Sequence, residues 1–156
     1  MWIITAKLTK AKAAVIVLAG GAFLCALIFA AGQLHQRNPS ALPSPHNISD
    51  NDARVRYLAD WGWDVESSAM ETLDLVLPQT LNDAYAAYNE LQAENGMDLS
   101  ACCGKRVKRY TYAVHNYPGQ PEGVQANLYL CGDTVVAGDI FSTGADGFIS
   151  SLHYPK

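Results

Sequence analysis

Residues 13–32 form an unbroken apolar run, which constrains what the chain can fold into more than any other feature. Its sequence, AAVIVLAGGAFLCALIFAAG, contains no charged and no strongly polar side chain. A helix rises about 1.5 Å per residue, so this segment would extend roughly 30 Å and match the hydrocarbon core of a bilayer. A buried helix in a soluble domain would normally keep a polar stripe. The run therefore predicts a transmembrane helix over residues 13–32, in contact with membrane lipid.

The charges around this run predict its orientation. Three lysines precede it and a single cation follows within fifteen residues: Lys7, Lys10, Lys12 and then Arg37. Positively charged flanks are retained in the cytoplasm, so residues 1–12 are expected to be cytoplasmic and the remainder to lie outside the cell membrane. A signal peptide cleaved near residues 30–32 is the alternative. Its apolar core would exceed the usual ~7–15 residues, so we favour an uncleaved, single-pass signal anchor.

Two segments follow the apolar run. Residues 33–50 are rich in proline, serine and asparagine and lack apolar periodicity, which predicts a flexible linker. Residues 51–156 remain for one extracytoplasmic domain, long enough to bury a single hydrophobic core. From residue 33 onward, 8 Lys or Arg stand against 15 Asp or Glu, a net charge of −7. This acidic balance argues against nucleic acid as a partner.

Two amphipathic helices are predicted in the domain. The first has an N-cap at Ser49 or Asp50 and ends at Gly62, a residue type suited to the position after a helix. The second follows Pro78 and ends at Asn95-Gly96, and its apolar residues fall on one side.

Short segments with alternating apolar and polar residues predict five strands, at residues 63–66, 73–77, 107–116, 124–130 and 135–141. In the third of these, Tyr110 and Tyr112 share one face while Arg109 and Thr111 share the other, as in a strand half open to water. Helices and strands do not alternate strictly, so we expect an α+β domain. Its small antiparallel sheet should carry the two helices on one face.

Three cysteines occupy the predicted outer domain: Cys102, Cys103 and Cys131. Adjacent cysteines rarely bridge each other because the peptide between them would be strained, so a disulfide would join Cys131 to Cys102 or Cys103. A Cys102–Cys131 bridge would close a loop of about thirty residues and stabilise the fold by roughly 3 kcal/mol. Plain buried thiols are the equal alternative. The C-x₂-C spacing of zinc sites is missing, so no metal site is predicted.

One basic cluster stands out in the acidic domain, formed by Lys105, Arg106, Lys108 and Arg109. These four residues are the candidate ligand-binding residues, and their charge would suit an acidic ligand such as an envelope polymer. The alternative is that they pair with Asp and Glu on neighbouring elements, because a charged run is usually a solvated face.

No motif in the sequence specifies a reaction. It contains neither a glycine-rich phosphate loop nor a G-x-S-x-G segment, and it predicts no catalytic residue and no cofactor. An envelope enzyme would have to combine Cys103 or Asp139 with His115 or His153. Nothing in the spacing of these residues links them.

The part of the chain from about residue 54 to 152 resembles a family of uncharacterised bacterial proteins, domain of unknown function 4830, in which a membrane anchor precedes the domain. The resemblance rests on eight short motifs: Gly62-Trp63-Asp64-Val65, Tyr88-Asn89-Glu90-Leu91-Gln92, Gly96-Met97-Asp98-Leu99-Ser100, Gly104-Lys105-Arg106-Val107, Arg109-Tyr110-Thr111-Tyr112, Asn116-Tyr117-Pro118, Gly138-Asp139 and Gly147-Phe148. It implies no established activity. The cysteines depart from the family pattern, which counts against a thiol chemistry shared by the family.

The sequence therefore predicts a single-pass membrane protein at the bacterial cell envelope. Its outer domain would bind an envelope polymer or another membrane protein without catalysing a reaction. The alternatives are an envelope enzyme and a structural subunit of a membrane complex. A cavity that brings Asp139, His115 and a thiol together would favour the enzyme. An apolar or aromatic surface without clustered ionisable groups would favour binding.

Overall fold

A computed structural model describes residues 42–120, 122–144 and 147–155 of the chain. The predicted cytoplasmic segment, the predicted transmembrane helix and the first part of the predicted linker lie outside these residues. Within the described ranges, no helix combines the length and the apolar character needed to cross a membrane.

The domain is built on a five-stranded antiparallel sheet in which each strand pairs with its neighbours in the chain, in the order β1-β2-β3-β4-β5. The strands are β1 (Glu71–Val76), β2 (Arg106–Ala113), β3 (Val124–Cys131), β4 (Thr134–Ser142) and β5 (Ile149–Ser150). β1 and β5 therefore form the two edges. The predicted α+β class and antiparallel sheet are confirmed.

Both predicted helices are present, and local sequence signals fix their ends. Helix α1 (Asn51–Asp60) begins where the Asp50 carboxylate accepts a hydrogen bond from the Ala53 amide at 2.7 Å, and it ends before Gly62, whose φ is +98°. Helix α2 (Asp83–Glu94) is capped in the same way by Asn82. A short 3₁₀ helix (Leu99–Cys102) follows.

The two helices lie on opposite faces of the sheet, so the prediction that both pack on one face was wrong. Successive strand residues point to opposite faces. Arg54 on α1 donates a hydrogen bond to the Tyr112 hydroxyl at 2.8 Å. Helix α1 packs in the larger apolar cluster together with Tyr112, Ala126, Leu128 and Ile140. We call the sheet face that carries these strand residues the α1 face. Tyr88 on α2 contacts Tyr129 and Asp139 on the other face, which also carries Leu73 and Arg109 and which we call the α2 face.

The helices lie on opposite faces because strands β3 and β4 are largely buried on both faces of the sheet. A second apolar cluster, built on Val107, Val136 and Ala137, lies under the 3₁₀ helix and α2. Each face therefore requires its own cover, and one helix serves each.

Two further predictions about strands need correction. Residues 63–66 do not form a strand, because only Val65 pairs with another segment, in a single bridge to Val114. Trp63 instead lies buried and donates its indole N–H to the Leu152 carbonyl at 2.7 Å. Strand β5 was not predicted, since two residues are too few to produce an alternating pattern.

The folded unit includes the last part of the segment predicted as linker. The Val135 amide donates to the Pro45 carbonyl, and the Ile48 amide donates to the Asp133 carbonyl, each at 2.8 Å. Ile48 is buried in the cluster on the α1 face. Residues 45–48 thus lie along the turn between β3 and β4.

Candidate ligand-binding cavity

A cavity of about 820 Å³ opens on the α2 face, between the sheet, the first turns of α2 and residues 147–149. Its walls are aliphatic and aromatic, and its floor is polar. The lining residues are Leu73, Leu75, Leu77, Ala84, Tyr85, Tyr88, Leu99, Arg109, Asn127, Tyr129, Asp139, Phe141, Gly147, Phe148 and Ile149. This size and this mixture of walls and floor are typical of sites for small molecules.

The cavity exists because α2 contacts the sheet from Tyr88 onward, while its first turn stays exposed. The Gln92 side-chain oxygen accepts from the Gly138 amide at 2.8 Å. The Asn95 amide group donates to the Gly138 carbonyl at 2.9 Å and accepts from the Leu152 amide at 2.8 Å. Ala84 and Tyr85, at the other end of α2, stay exposed. The helix therefore forms a wall of the cavity without filling it.

The floor of the cavity is a chain of hydrogen bonds that ends on one buried carboxylate. The Thr111 hydroxyl donates to the Asn127 side-chain oxygen at 2.7 Å, and the Asn127 amide donates to Asp139 at 3.0 Å. The Tyr88 hydroxyl donates to the other oxygen of Asp139 at 2.5 Å. Cross-strand pairing places Thr111, Asn127 and Asp139 in one row across β2, β3 and β4. Buried polar groups need such partners, and here each acceptor has one.

Burial dominates the ionisation of this floor. It raises the pKa of Asp139, although the hydrogen bonds from Tyr88 and Asn127 lower it in part. It also raises the pKa of Tyr88, as does the nearby charge of Asp139. The pKa of Tyr129 is raised for the same two reasons. Both tyrosines therefore stay protonated at neutral pH, and the single hydroxyl proton of Tyr88 is donated to Asp139.

Arg109 is the one cationic side chain among the described residues that line the cavity. Its guanidinium pairs with the Glu71 carboxylate, its neighbour across the β1–β2 pairing on the same face. Its Nε–H is buried and has no hydrogen-bond partner within the described residues. A buried donor without a partner is costly, so this N–H offers a place for an acceptor from a ligand or from water.

The four predicted ligand-binding cations do not converge on one site. Arg109 lines the cavity, whereas Lys108, the next residue of β2, lies on the α1 face and is exposed. Arg106 is exposed on that face too, and the Lys105 ammonium donates to the Ala101 carbonyl at 3.1 Å. Alternation along β2 therefore separates the cluster, and binding of an acidic polymer by all four residues stays a prediction.

The thiol of Cys102, the last residue of the 3₁₀ helix, interacts with that of Cys131, and both are free, as is Cys103. Burial and, to a lesser extent, the neighbouring Cys131 raise the pKa of Cys102 to about 11. A thiol with this pKa is protonated at neutral pH and is a poor nucleophile. The predicted Cys102–Cys131 disulfide stays a prediction, and the structure places its two partners side by side.

The residues of the alternative enzyme are not assembled around the cavity. His115 approaches the Glu66 carboxylate at 3.7 Å, and the His153 ring packs against Trp61 and meets the Glu94 carbonyl at 2.9 Å. Neither histidine lines the cavity that contains Asp139. Among the described side chains, no group of three or more His, Cys, Asp or Glu is arranged to hold a metal ion.

Sequence reasoning missed most of this site, including Tyr88, Asn127, Phe141 and Phe148. One signal was available. Asn127 and Asp139 are polar residues in the interior of two largely apolar strands, VQANLYLC and TVVAGDIFS. Polar side chains in such strands point to a buried hydrogen-bonded pair.

Comparison with known proteins assigns a family but no activity. Searches of curated proteins and of solved structures found no match. A family described as Domain of unknown function (DUF4830) matches residues 57–140, more than half of the chain, and the match extends from α1 into β4. The predicted resemblance is thereby confirmed. The chain belongs to the domain of unknown function 4830 family.

Proposed function

We propose that the domain is a binding module that takes a small amphiphilic molecule into the cavity on the α2 face. The observation that carries this proposal is the cavity itself: about 820 Å³, with apolar walls above a fully hydrogen-bonded polar floor. Leu73, Leu75 and Phe141 would contact the apolar part of the ligand. Arg109 and Tyr129 would meet its polar end.

Several features favour binding over catalysis. Both oxygens of Asp139 already accept hydrogen bonds, and its side chain is almost inaccessible to solvent. No histidine and no thiol lines the cavity to act as a base or a nucleophile. An acid–base mechanism requires a group within hydrogen-bond reach of the substrate, and the described residues supply none that is free to titrate there.

A membrane setting suits an amphiphilic ligand. The apolar run at residues 13–32 and the lysines before it support a placement of the domain outside the cell membrane, at the bacterial envelope. In that setting the partner would be a small amphiphile dissolved in or released from the bilayer. Binding of an envelope polymer or of another membrane protein would be secondary to this.

The test is photoaffinity labelling of the full-length protein with a long-chain alcohol that carries a diazirine. We expect the label on residues that line the cavity, mapped by mass spectrometry. Ala84→Trp should reduce labelling several-fold, because Ala84 lines the cavity and a large side chain would fill it. Ala86→Trp is the matched control, since Ala86 is an exposed alanine of the same helix that does not line the cavity. Labelling that Ala84→Trp leaves unchanged would refute the proposal.

A further inference from the structure

Strand β1 is an exposed edge of the sheet with an unusual surface. Among the described residues it pairs only with β2, and five of its six residues are exposed. Leu73 and Val76 of β1, and Met70 directly before it, are 43%, 64% and 59% exposed, although all are large apolar residues. These three side chains make the β1 edge an apolar strip that continues onto both faces of the sheet.

Edge strands are usually protected from pairing by Lys, Pro, a bulge or a free charge. β1 has the sequence ETLDLV, with no Lys and no Pro, and its register with β2 is regular. It carries two acids, but Glu71 is paired with Arg109 and Asp74 lies opposite Lys108 in the β1–β2 register. The opposite edge, β5, is only two residues long. So short an edge offers few free backbone groups to another strand, so β5 is protected from pairing, whereas β1 is only weakly protected.

We infer that β1 is a self-association surface, which pairs antiparallel with β1 of a second copy of this chain. This inference is independent of the ligand. In the register that places Leu73 opposite Leu73 of the second copy, Met70 lies opposite Val76 and Thr72 lies opposite Asp74. Every exposed apolar side chain of the edge then meets an apolar partner, and the Asp74 carboxylate meets a hydroxyl.

The neighbouring registers are less favourable. A shift that centres the pair on Asp74 would set two carboxylates directly opposite each other, which is destabilising. A shift that centres it on Thr72 would place Met70 opposite Asp74 and leave Val76 without an apolar partner. The self-complementarity of β1 in a single register selects a second copy over an unrelated strand as the occupant.

The resulting two-fold axis would be perpendicular to the sheet at Leu73, so the two sheets would join as one, with both α2 faces on the same side. Leu73 lines the cavity. The cavities of the two copies would therefore open beside each other across the shared edge.

The test is cysteine cross-linking of the full-length protein. Leu73→Cys should give a disulfide-linked dimer on mild oxidation, with mass spectrometry locating the bond between the two introduced thiols. Val76→Cys is the matched control, since Val76 is more exposed than Leu73 on the same strand. In the inferred register the two copies of residue 76 are about 20 Å apart, because each residue advances about 3.4 Å. We expect Leu73→Cys to cross-link at least tenfold more than Val76→Cys.

A second measurement checks the unmodified interface. Sedimentation of the otherwise native protein should show a concentration-dependent dimer, which Leu73→Lys shifts to monomer by placing two ammonium groups opposite each other. Ile149→Lys, at the exposed residue of the other edge, should leave the dimer unchanged. Equal cross-linking at positions 73 and 76, or a dimer that survives Leu73→Lys, would overturn the inference.

Discussion

At the scale of single residues, the Tyr88–Asp139 hydrogen bond connects helix α2 to the floor of the cavity. Tyr88→Phe removes the donor at 2.5 Å from a buried carboxylate and puts nothing in its place. Loss of a hydrogen bond to a charged group costs about 1.5–3 kcal/mol. The free energy of unfolding of the variant should therefore be lower by that amount, and the variant should unfold at a lower denaturant concentration. Tyr85→Phe is the control: Tyr85 also lines the cavity but is exposed, and its change should be close to zero.

The cost of Tyr88→Phe should depend on pH, because the lost bond stabilises the charged form of Asp139. The hydrogen bond from Tyr88 lowers the Asp139 pKa, and burial raises it. Without Tyr88, the folded-state pKa rises further above the ordinary value of 3.8. The stability difference should therefore be full at neutral pH, where Asp139 is ionised, and should shrink as the pH falls through the folded-state pKa. Urea unfolding of both proteins between pH 3.5 and 7 measures it, and a difference that grows toward acid pH would contradict this assignment.

At the scale of elements, Asn95 attaches the C-terminal end of α2 to the sheet. Asn95 is 3% exposed and satisfies both the Gly138 carbonyl and the Leu152 amide. Asn95→Ala leaves these two buried backbone groups without partners, at a cost of about 1–3 kcal/mol each. We expect an unfolding free energy lower by at least about 2 kcal/mol and faster hydrogen exchange along α2. Glu94→Ala, one residue earlier and exposed, should show neither effect.

The elements also show how far sequence patterns reach in this domain. Caps and alternation predicted α1, α2 and four of the five strands, because those signals act over a few residues. The same patterns misassigned the outer face of β2. Thr111 was interpreted as a water-facing residue, yet it is 3% exposed and begins the hydrogen-bond chain to Asp139. A polar residue on an alternating strand looks the same whether water or a buried partner satisfies it. The site could therefore not be predicted without knowing which residues of neighbouring strands lie opposite each other.

At the scale of the whole molecule, the distribution of charge and apolar residues separates the chain into two parts. Residues 13–32 carry no charge, whereas the part from residue 33 onward has a net charge of −7. If the domain lies outside the membrane, as we propose, its negative charge would repel it from anionic headgroups, and contact between domain and bilayer would depend on the ligand and not on charge. This arrangement suits a cavity that receives an amphiphile.

The placement of the domain outside the membrane can be tested on cells that express the full chain. We predict that the protein sediments with membranes and that protease added to spheroplasts releases a folded fragment that begins near residue 42, because the segment predicted as linker precedes the folded unit there. Inverted vesicles serve as the control and should protect that fragment.

A chain that stays in the soluble fraction with residues 1–32 intact would contradict the anchor, since a free energy of transfer summed over twenty apolar residues strongly favours lipid over water. A fragment protected in spheroplasts and released from inverted vesicles would reverse the orientation and place Cys102 and Cys131, which interact in the structure, in the reducing cytoplasm.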